Sequence, residues 1–264
     1  MKRKLVVYCA LVVVLLMSGA IQATLVHQYN FENGTANDSV GNADGTLFGN
    51  ATIVDGALVL DGDGDYMSMP GDVIAMNTYS EVSIEVCFAS VAGGNTGFHM
   101  IAAFGEEGTG ANTGFGYKYL FISPARGDDV SRAAIQTRSM DDSPWDDETG
   151  VNAAVEHDDG LTHHFVATVN ATDITFYIDG VLIGSTALDA GNEIAGIGQA
   201  AAYLGKGVYP VDPLWAGSID EFSIYNHALS LAEVEAGYQN CIPEPATIAI
   251  LGLGFLALTR RRKS

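Results

Sequence analysis

Basic residues are scarce. The 264-residue chain carries 12 Lys and Arg against 32 Asp and Glu, and seven of those twelve fall within its first four or last five residues. Between residues 24 and 242 only Lys118, Arg126, Arg132, Arg138 and Lys206 remain beside 31 acidic residues, a formal net charge of −26. Such a surface repels nucleic-acid phosphates and anionic lipid headgroups, which excludes both as partners of this stretch. It suits a soluble extracellular protein that collects divalent cations, and a plainly solvated acidic face fits the same composition. Cysteine is nearly absent too: with Cys9 in the N-terminal leader, only Cys87 and Cys241 remain. In an oxidising compartment these two can bond or stay free, and the sequence leaves both outcomes open. No G-x-S-x-G, H-E-x-x-H or phosphate-binding loop occurs, so the enzymes built on those motifs are excluded. The apolar runs are short. At ~1.5 Å per residue the stretch from Ala246 to Leu258 reaches only ~20 Å, against a hydrocarbon core of ~30 Å.

The two ends carry processing signals. Met1-Lys2-Arg3-Lys4 is a positive n-region, Leu5 to Met17 an apolar h-region and Ala20-Ile21-Gln22-Ala23 a small-x-small cleavage pattern. Residues 1–23 therefore read as a signal peptide and the mature chain as starting at Thr24. At the other end Ile242-Pro243-Glu244-Pro245 precedes the second apolar run, and Arg260-Arg261-Arg262-Lys263 follows it. This arrangement over 242–264 resembles a PEP-CTERM sorting tail. The resemblance implies that an exosortase-type enzyme acts at Pro243, Glu244 and Pro245 and that the hydrophobic segment holds the precursor in the inner membrane. The basic cluster then stays cytoplasmic, as the positive-inside preference also requires. The mature form belongs at the cell surface or in the extracellular matrix, and the membrane is met only through the terminal segments. A plain C-terminal anchor is the alternative.

Residues 24–241 are the length of one β-sandwich domain. Alternating runs at Leu25–Phe31, Val82–Phe88, Met100–Phe104, Tyr117–Ile122, Ala133–Thr137 and His163–Val169 predict strands, as does Gly217–Tyr225 at the end. Asn33 to Gly49 is rich in Gly, Asn and Asp and reads as loop. Ala57–Leu60, the Asp61-Gly62-Asp63-Gly64-Asp65 run and Tyr66–Met69 form a hairpin-like pattern. Ile174–Ile178, Asp179-Gly180 and Val181–Gly184 give the strongest hairpin signal, since both turn residues tolerate positive φ. Leu229 to Tyr238 reads as a short helix capped by Ser230 and Glu233. The expected fold is all-β, a two-sheet antiparallel sandwich with a short C-terminal helix and terminal signal and anchor helices.

Six segments in order strengthen this reading. Tyr29 to Gly34, Asp38 to Gly45, Leu60 to Tyr66, the Tyr177–Gly180 turn, Tyr203-Leu204-Gly205 and Gly217 to Ser230 resemble a LamG-like, concanavalin A-like jelly-roll domain. The resemblance implies two curved antiparallel sheets. Cys87 stands where the pentraxin branch has a bonded cysteine, yet the matching later stretch His163 to Ala167 has none, so pentraxin chemistry is not carried over.

Glycoside hydrolases on this scaffold use E-x-D-x-x-E along one strand, because retaining hydrolysis needs two carboxyl groups ~5 Å apart. The nearest fragment, Glu156 to Leu161, lacks the second glutamate, so the chain is expected to be non-catalytic. His163 and His164 point to opposite faces of a regular strand, so they cannot share a metal, and one is expected packed and the other solvated. Asp61, Asp63 and Asp65 imitate an EF-hand start but lack its glycine and its terminal glutamate. In jelly rolls of this kind a structural Ca²⁺ takes a carboxylate from the last long strand. By that resemblance Asp220 is a candidate ligand, with Glu32, Asp38 and Asp44 beside it; capping of a turn by Asp220 is the alternative. Sugar binding needs exposed aromatic rings, and Trp145, Tyr209 and Trp215 are the candidates, Trp215 also reading as a loop anchor. The expected function is a surface or exopolysaccharide-matrix protein that binds glycan. The alternatives are a structural surface protein without a dedicated ligand and a glycan-active enzyme.

Overall fold

The computed structural model describes residues 24–127 and 130–242. The expected signal peptide and the Pro243-Glu244-Pro245 tail lie outside the described residues. In chain order the strands are β1 (Leu25–Tyr29), β2 (Thr46–Phe48), β3 (Thr52–Val54), β4 (Ala57–Asp61), β5 (Tyr66–Ser68), β6 (Val82–Ser90), β7 (Ala102–Glu107) and β8 (Gly116–Arg126). They continue with β9 (Val130–Gln136), β10 (Thr149–Asn152), β11 (Thr162–Val169), β12 (Asp173–Ile178), β13 (Val181–Ala187), β14 (Ala201–Leu204) and β15 (Ala216–Tyr225). A one-turn helix α1 (Gly71–Ile74) follows β5, and α2 (Leu231–Cys241) follows β15.

The strands make two antiparallel sheets. The first runs β13-β12-β11-β6-β15-β4-β3, with β1 also on β15; the second runs β10-β9-β8-β7-β14-β5-β2. Alternation along each strand sends one set of side chains between the sheets. Ile84, Val86 and Phe88 of β6 meet Leu120 and Ile122 of β8 there, in one large buried cluster. Phe88 packs within it, edge-on to Phe165 at 4.9 Å and to Trp215 at 6.0 Å between ring centroids. Burying an aromatic ring of this kind contributes about 1.5–3 kcal/mol, so this cluster is the main stabilising element.

The fold expected from the sequence is the fold found, with local differences. Asp179 and Gly180 have φ of 51° and 76° and close the β12–β13 hairpin as their chemistry predicts. The pattern around Asp61 to Asp65 is not a hairpin, because β4 belongs to the first sheet and β5 to the second. Asp65 instead ties this crossing, its carboxylate accepting the N–H groups of Asp61 and Gly62. The stretch expected as loop from Asn33 to Gly49 contains β2, a three-residue edge strand too short to show alternation. The helix has its capping box, Glu233 accepting the Ser230 backbone N–H at 2.8 Å. Among the described residues no helix is long and apolar enough to cross a membrane.

Candidate functional site

The outer face of the second sheet carries a second aromatic cluster, separate from the core. Tyr119 and Phe121 of β8, Ala103 of β7, Ala134 of β9 and Ala201 of β14 pack there with Val208, Tyr209 and the half-buried Phe115. Small residues on three neighbouring strands leave room for rings supplied by loops. Gly116 matters most for this, since a Cβ at that position would stand 2.5 Å from the Val208 side chain and 2.9 Å from the Tyr209 ring. Only glycine lets the β14–β15 loop lie so low over β8.

Trp145 sits at the edge of this cluster. It lies in a short 3-10 turn, Pro144–Asp147, and remains 49% exposed. Its ring is 6.1 Å from Phe115 and 6.5 Å from Tyr209. Two of the three aromatic candidates from the sequence are thus brought together, along with Phe115, which sequence reasoning missed. Trp215 is not part of that surface. It is fully buried, and its Nε1–H donates to Ser90 Oγ at 3.3 Å, so its place as a candidate ligand contact is corrected to that of a core anchor.

Beneath the rings runs a polar chain. The Tyr209 hydroxyl donates to the Tyr119 hydroxyl at 2.9 Å, and Tyr119 donates to Glu148 Oε1 at 2.7 Å. Arg132 donates to Glu148 Oε2 from Nε at 3.1 Å and from a terminal nitrogen at 2.9 Å. Burial, with the Glu148 charge adding to it, pushes the Tyr119 hydroxyl well above the ordinary tyrosine range, so it acts as a hydrogen-bond donor. Other cations of this sheet are paired as well: Lys118 with Glu106, Arg138 with Asp147 at 2.6 Å, and Lys206 with Glu107. None of these partners could be read from spacing, since they lie on different strands and loops.

The first sheet carries a groove of about 820 Å³ on its outer face, beside α2. Glu32, Asp55, Glu85, His164, Asp220 and Glu221 line it, and no Lys or Arg does. Asp220 projects because it is a bulge residue, where β15 leaves its pairing with β4 and takes up β1. Desolvation there holds its carboxyl above the usual range. The four carboxylates expected around calcium are not brought together. Glu32 shares the groove with Asp220, but Asp38 is buried elsewhere against His27 at 2.6 Å and accepts the N–H groups of Gln28, Val40, Gly41 and Ala43. Asp44 is occupied by the Asp38 N–H at 2.9 Å. Among the described residues no group of three or more His, Cys, Asp and Glu side chains is arranged to hold a metal ion.

His163 and His164 do face opposite ways, but both are buried. His163 bonds Asp179 and Asp159, while His164 bonds Glu85 at 2.7 Å beneath α2. The helix covers the face that a bare strand would have left solvated. Its last residue, Cys241, forms a disulfide with Cys87 of β6.

With this geometry in view, the chain compares as follows with known proteins. Residues 61–235 match the Concanavalin A-like lectin/glucanases superfamily, and residues 242–263 match the PEP-CTERM protein-sorting motif. An alpha-L-arabinofuranosidase of Bifidobacterium longum is 28% identical over 229 residues, 79% of this chain; the chain spans only 20% of that enzyme. In three dimensions, domain 4 of an extracellular arabinanase from Geobacillus stearothermophilus, solved in complex with arabinotriose, is similar with a TM-score of 0.65 at 22% identity, covering 82% of this chain and 99% of that one. The receptor-binding domain of a botulinum neurotoxin C/D mosaic serotype has a TM-score of 0.60 at 15% identity, over 82% of this chain and 51% of that one. At these identities the likeness concerns the fold.

Proposed function

Because this chain belongs to the Concanavalin A-like lectin/glucanases superfamily and carries a PEP-CTERM sorting motif, we propose that it is an exported, non-catalytic protein that binds glycan at the cell surface or in the surrounding matrix. The observation that carries this reading is the exposed ring of Trp145, held in place by Phe115 and Tyr209 on the outer face of the second sheet. A flat, half-exposed indole offers an apolar face to the C–H side of a pyranose or furanose ring at little entropic cost, because packing already fixes its orientation. The similarity in fold to a domain solved with arabinotriose supports a saccharide as the ligand.

The non-catalytic part of the proposal is supported by the missing E-x-D-x-x-E pattern and by the carboxylate of the same face. That carboxylate, the largely buried Glu148, is held by Arg132 and Tyr119, and among the described residues no second carboxyl group joins these hydrogen bonds. Glycoside hydrolysis needs two carboxyl groups flanking the bond. The arabinofuranosidase relative does not alter this reading, since the chain spans a fifth of that enzyme.

Three units make up the proposed precursor: a signal peptide over 1–23, the jelly roll over 24–241 and the sorting segment over 242–264. An exosortase-type enzyme is the proposed processing partner, the precursor waiting in the inner membrane through its C-terminal segment. A glycan array probed with the wild-type chain and with Trp145→Ala tests the binding reading. Truncating one anchoring aromatic should weaken binding by about 1–2 kcal/mol, and an unchanged profile would remove the site from this face.

A further inference from the structure

We propose that the glycan taken by the Trp145 face carries free amino groups, as in a de-N-acetylated hexosamine chain, and that the Asp212 carboxylate receives the ammonium. The inference rests on the glycan-binding reading above and names the substrate class of that same site.

Asp212 lies in the β14–β15 loop three residues after Tyr209, and its N–H donates to the Tyr209 carbonyl at 3.1 Å. That turn places Asp212 in the same loop as Tyr209, whose ring flanks Trp145, and its charge adds to the upward push on the Tyr209 hydroxyl. The Asp212 carboxyl is half-buried and has no hydrogen bond or ion pair among the described residues. Desolvation by burial pushes it up to about 6. At neutral pH it is still ionised, and a partly desolvated carboxylate gains most from a positively charged donor.

The surrounding charges narrow the class further. Lys118, Arg132, Arg138 and Lys206 are each already matched by a carboxylate, so none is left over for a uronate or a sulfate. Asp141, Asp142 and Asp146 stand exposed in the loop that carries Trp145, and the first two act electrostatically on the neighbouring Tyr117 hydroxyl. An anionic glycan would meet repulsion from all of them. A neutral one could stack on Trp145 but would leave Asp212 unpaired. An amine satisfies both the rings and the carboxylate.

Titration calorimetry on the purified full-length chain with hexasaccharides of glucosamine, N-acetylglucosamine and galacturonic acid tests this. The glucosamine hexamer should bind about tenfold more tightly than the N-acetylated one, the scale of one charged hydrogen bond, and the galacturonic acid hexamer should not bind. Asp212→Asn should remove that tenfold preference, while Asp212→Glu, which keeps the charge, should retain it. Asp220→Asn, in the acidic groove of the other sheet, should change nothing, which separates the site from general attraction to an acidic protein. Equal affinities for the first two hexamers, or a preference that survives Asp212→Asn, would overturn the amine class. If in that case Trp145→Ala still weakens binding, the glycan-binding reading stands alone. If no hexamer binds the wild-type chain, the amine class falls, while the glycan array decides the glycan-binding reading separately.

Discussion

Trp145 and Trp215 are the chain's two tryptophans, and they occupy opposite environments. Trp145 presents half its surface to solvent, whereas Trp215 is sealed against Phe88. Trp215→Ala should therefore cost about 3–5 kcal/mol of stability through the cavity it leaves, read as a lower urea midpoint at unchanged slope. Trp145→Ala should leave that midpoint within experimental error. Each stands within three residues of a Pro and an Asp, so local sequence could not tell the anchor from the exposed ring. Asp38 shows the same limit from another side. Its burial opposes ionisation, but the His27 ring and the backbone N–H groups of Ala43, Gly41 and Gln28 outweigh that and hold its carboxyl at about 2. An ordinary value of 3.8 in the unfolded chain means that the folded form binds its proton later. The stabilisation is thus complete above the unfolded value and is lost as pH falls from about 4 toward about 2. Thermal melts of wild type and Asp38→Asn should differ clearly at pH 6 and converge as pH approaches 2; a constant difference would refute the assignment.

The helix α2 shows what an element owes to its surroundings. Its start is legible, because Ser230 and Glu233 stand at capping-box spacing. Its position is not, since it buries only Val234 of its own residues, in a small cluster with Leu229 and Val166. An isolated helix of 11 residues is marginal in water. Gly237 lets it approach β6 and β11, for a Cβ there would meet Glu85 Oε1. The Cys87–Cys241 disulfide then ties its end across a separation of 154 residues. That separation is why the sequence left the bond open: nothing local says that the last turn of this helix returns to a central strand. Replacing both cysteines with alanine should lower stability by about 2–4 kcal/mol, and hydrogen exchange should quicken first in α2. Loss of stability without faster exchange in α2 would place the effect elsewhere.

At the scale of the whole molecule, charge is divided between the sheets. All five basic residues of the stretch from 24 to 242 belong to the second sheet or its adjoining loops, and the groove of the first sheet contains none. The helix-end disulfide also sets where the sorting segment leaves the domain, one residue before the matched stretch at 242–263. If Pro243-Glu244-Pro245 is the processing motif, intact-mass measurement of the protein recovered from the producing cell should give a chain ending near residue 242 and lacking Arg260 to Lys263. Glu244→Ala should leave the precursor in the inner-membrane fraction. A surface form that keeps the hydrophobic run and the basic end would make the segment a simple anchor.

Alternation of apolar residues, the Asp179-Gly180 turn and the order of short motifs were enough to determine an all-β sandwich, because period-two patterning and positive-φ turn chemistry act over a few residues. The C-terminal sorting motif was legible for the same reason, being a linear signal of charge and hydrophobic length. Which residues form the candidate site was decided only by the packed structure. Trp145, Phe115, Tyr209 and Asp212 lie in three separate loops, and Glu148 meets Arg132 from a different segment, so only strand register brings them onto one face. Asp220 and Asp38 look alike in sequence, but a bulge exposes one and a set of backbone N–H groups encloses the other. Local chemistry specifies an element; the burial and neighbours of a carboxylate or an indole are properties of how the elements pack.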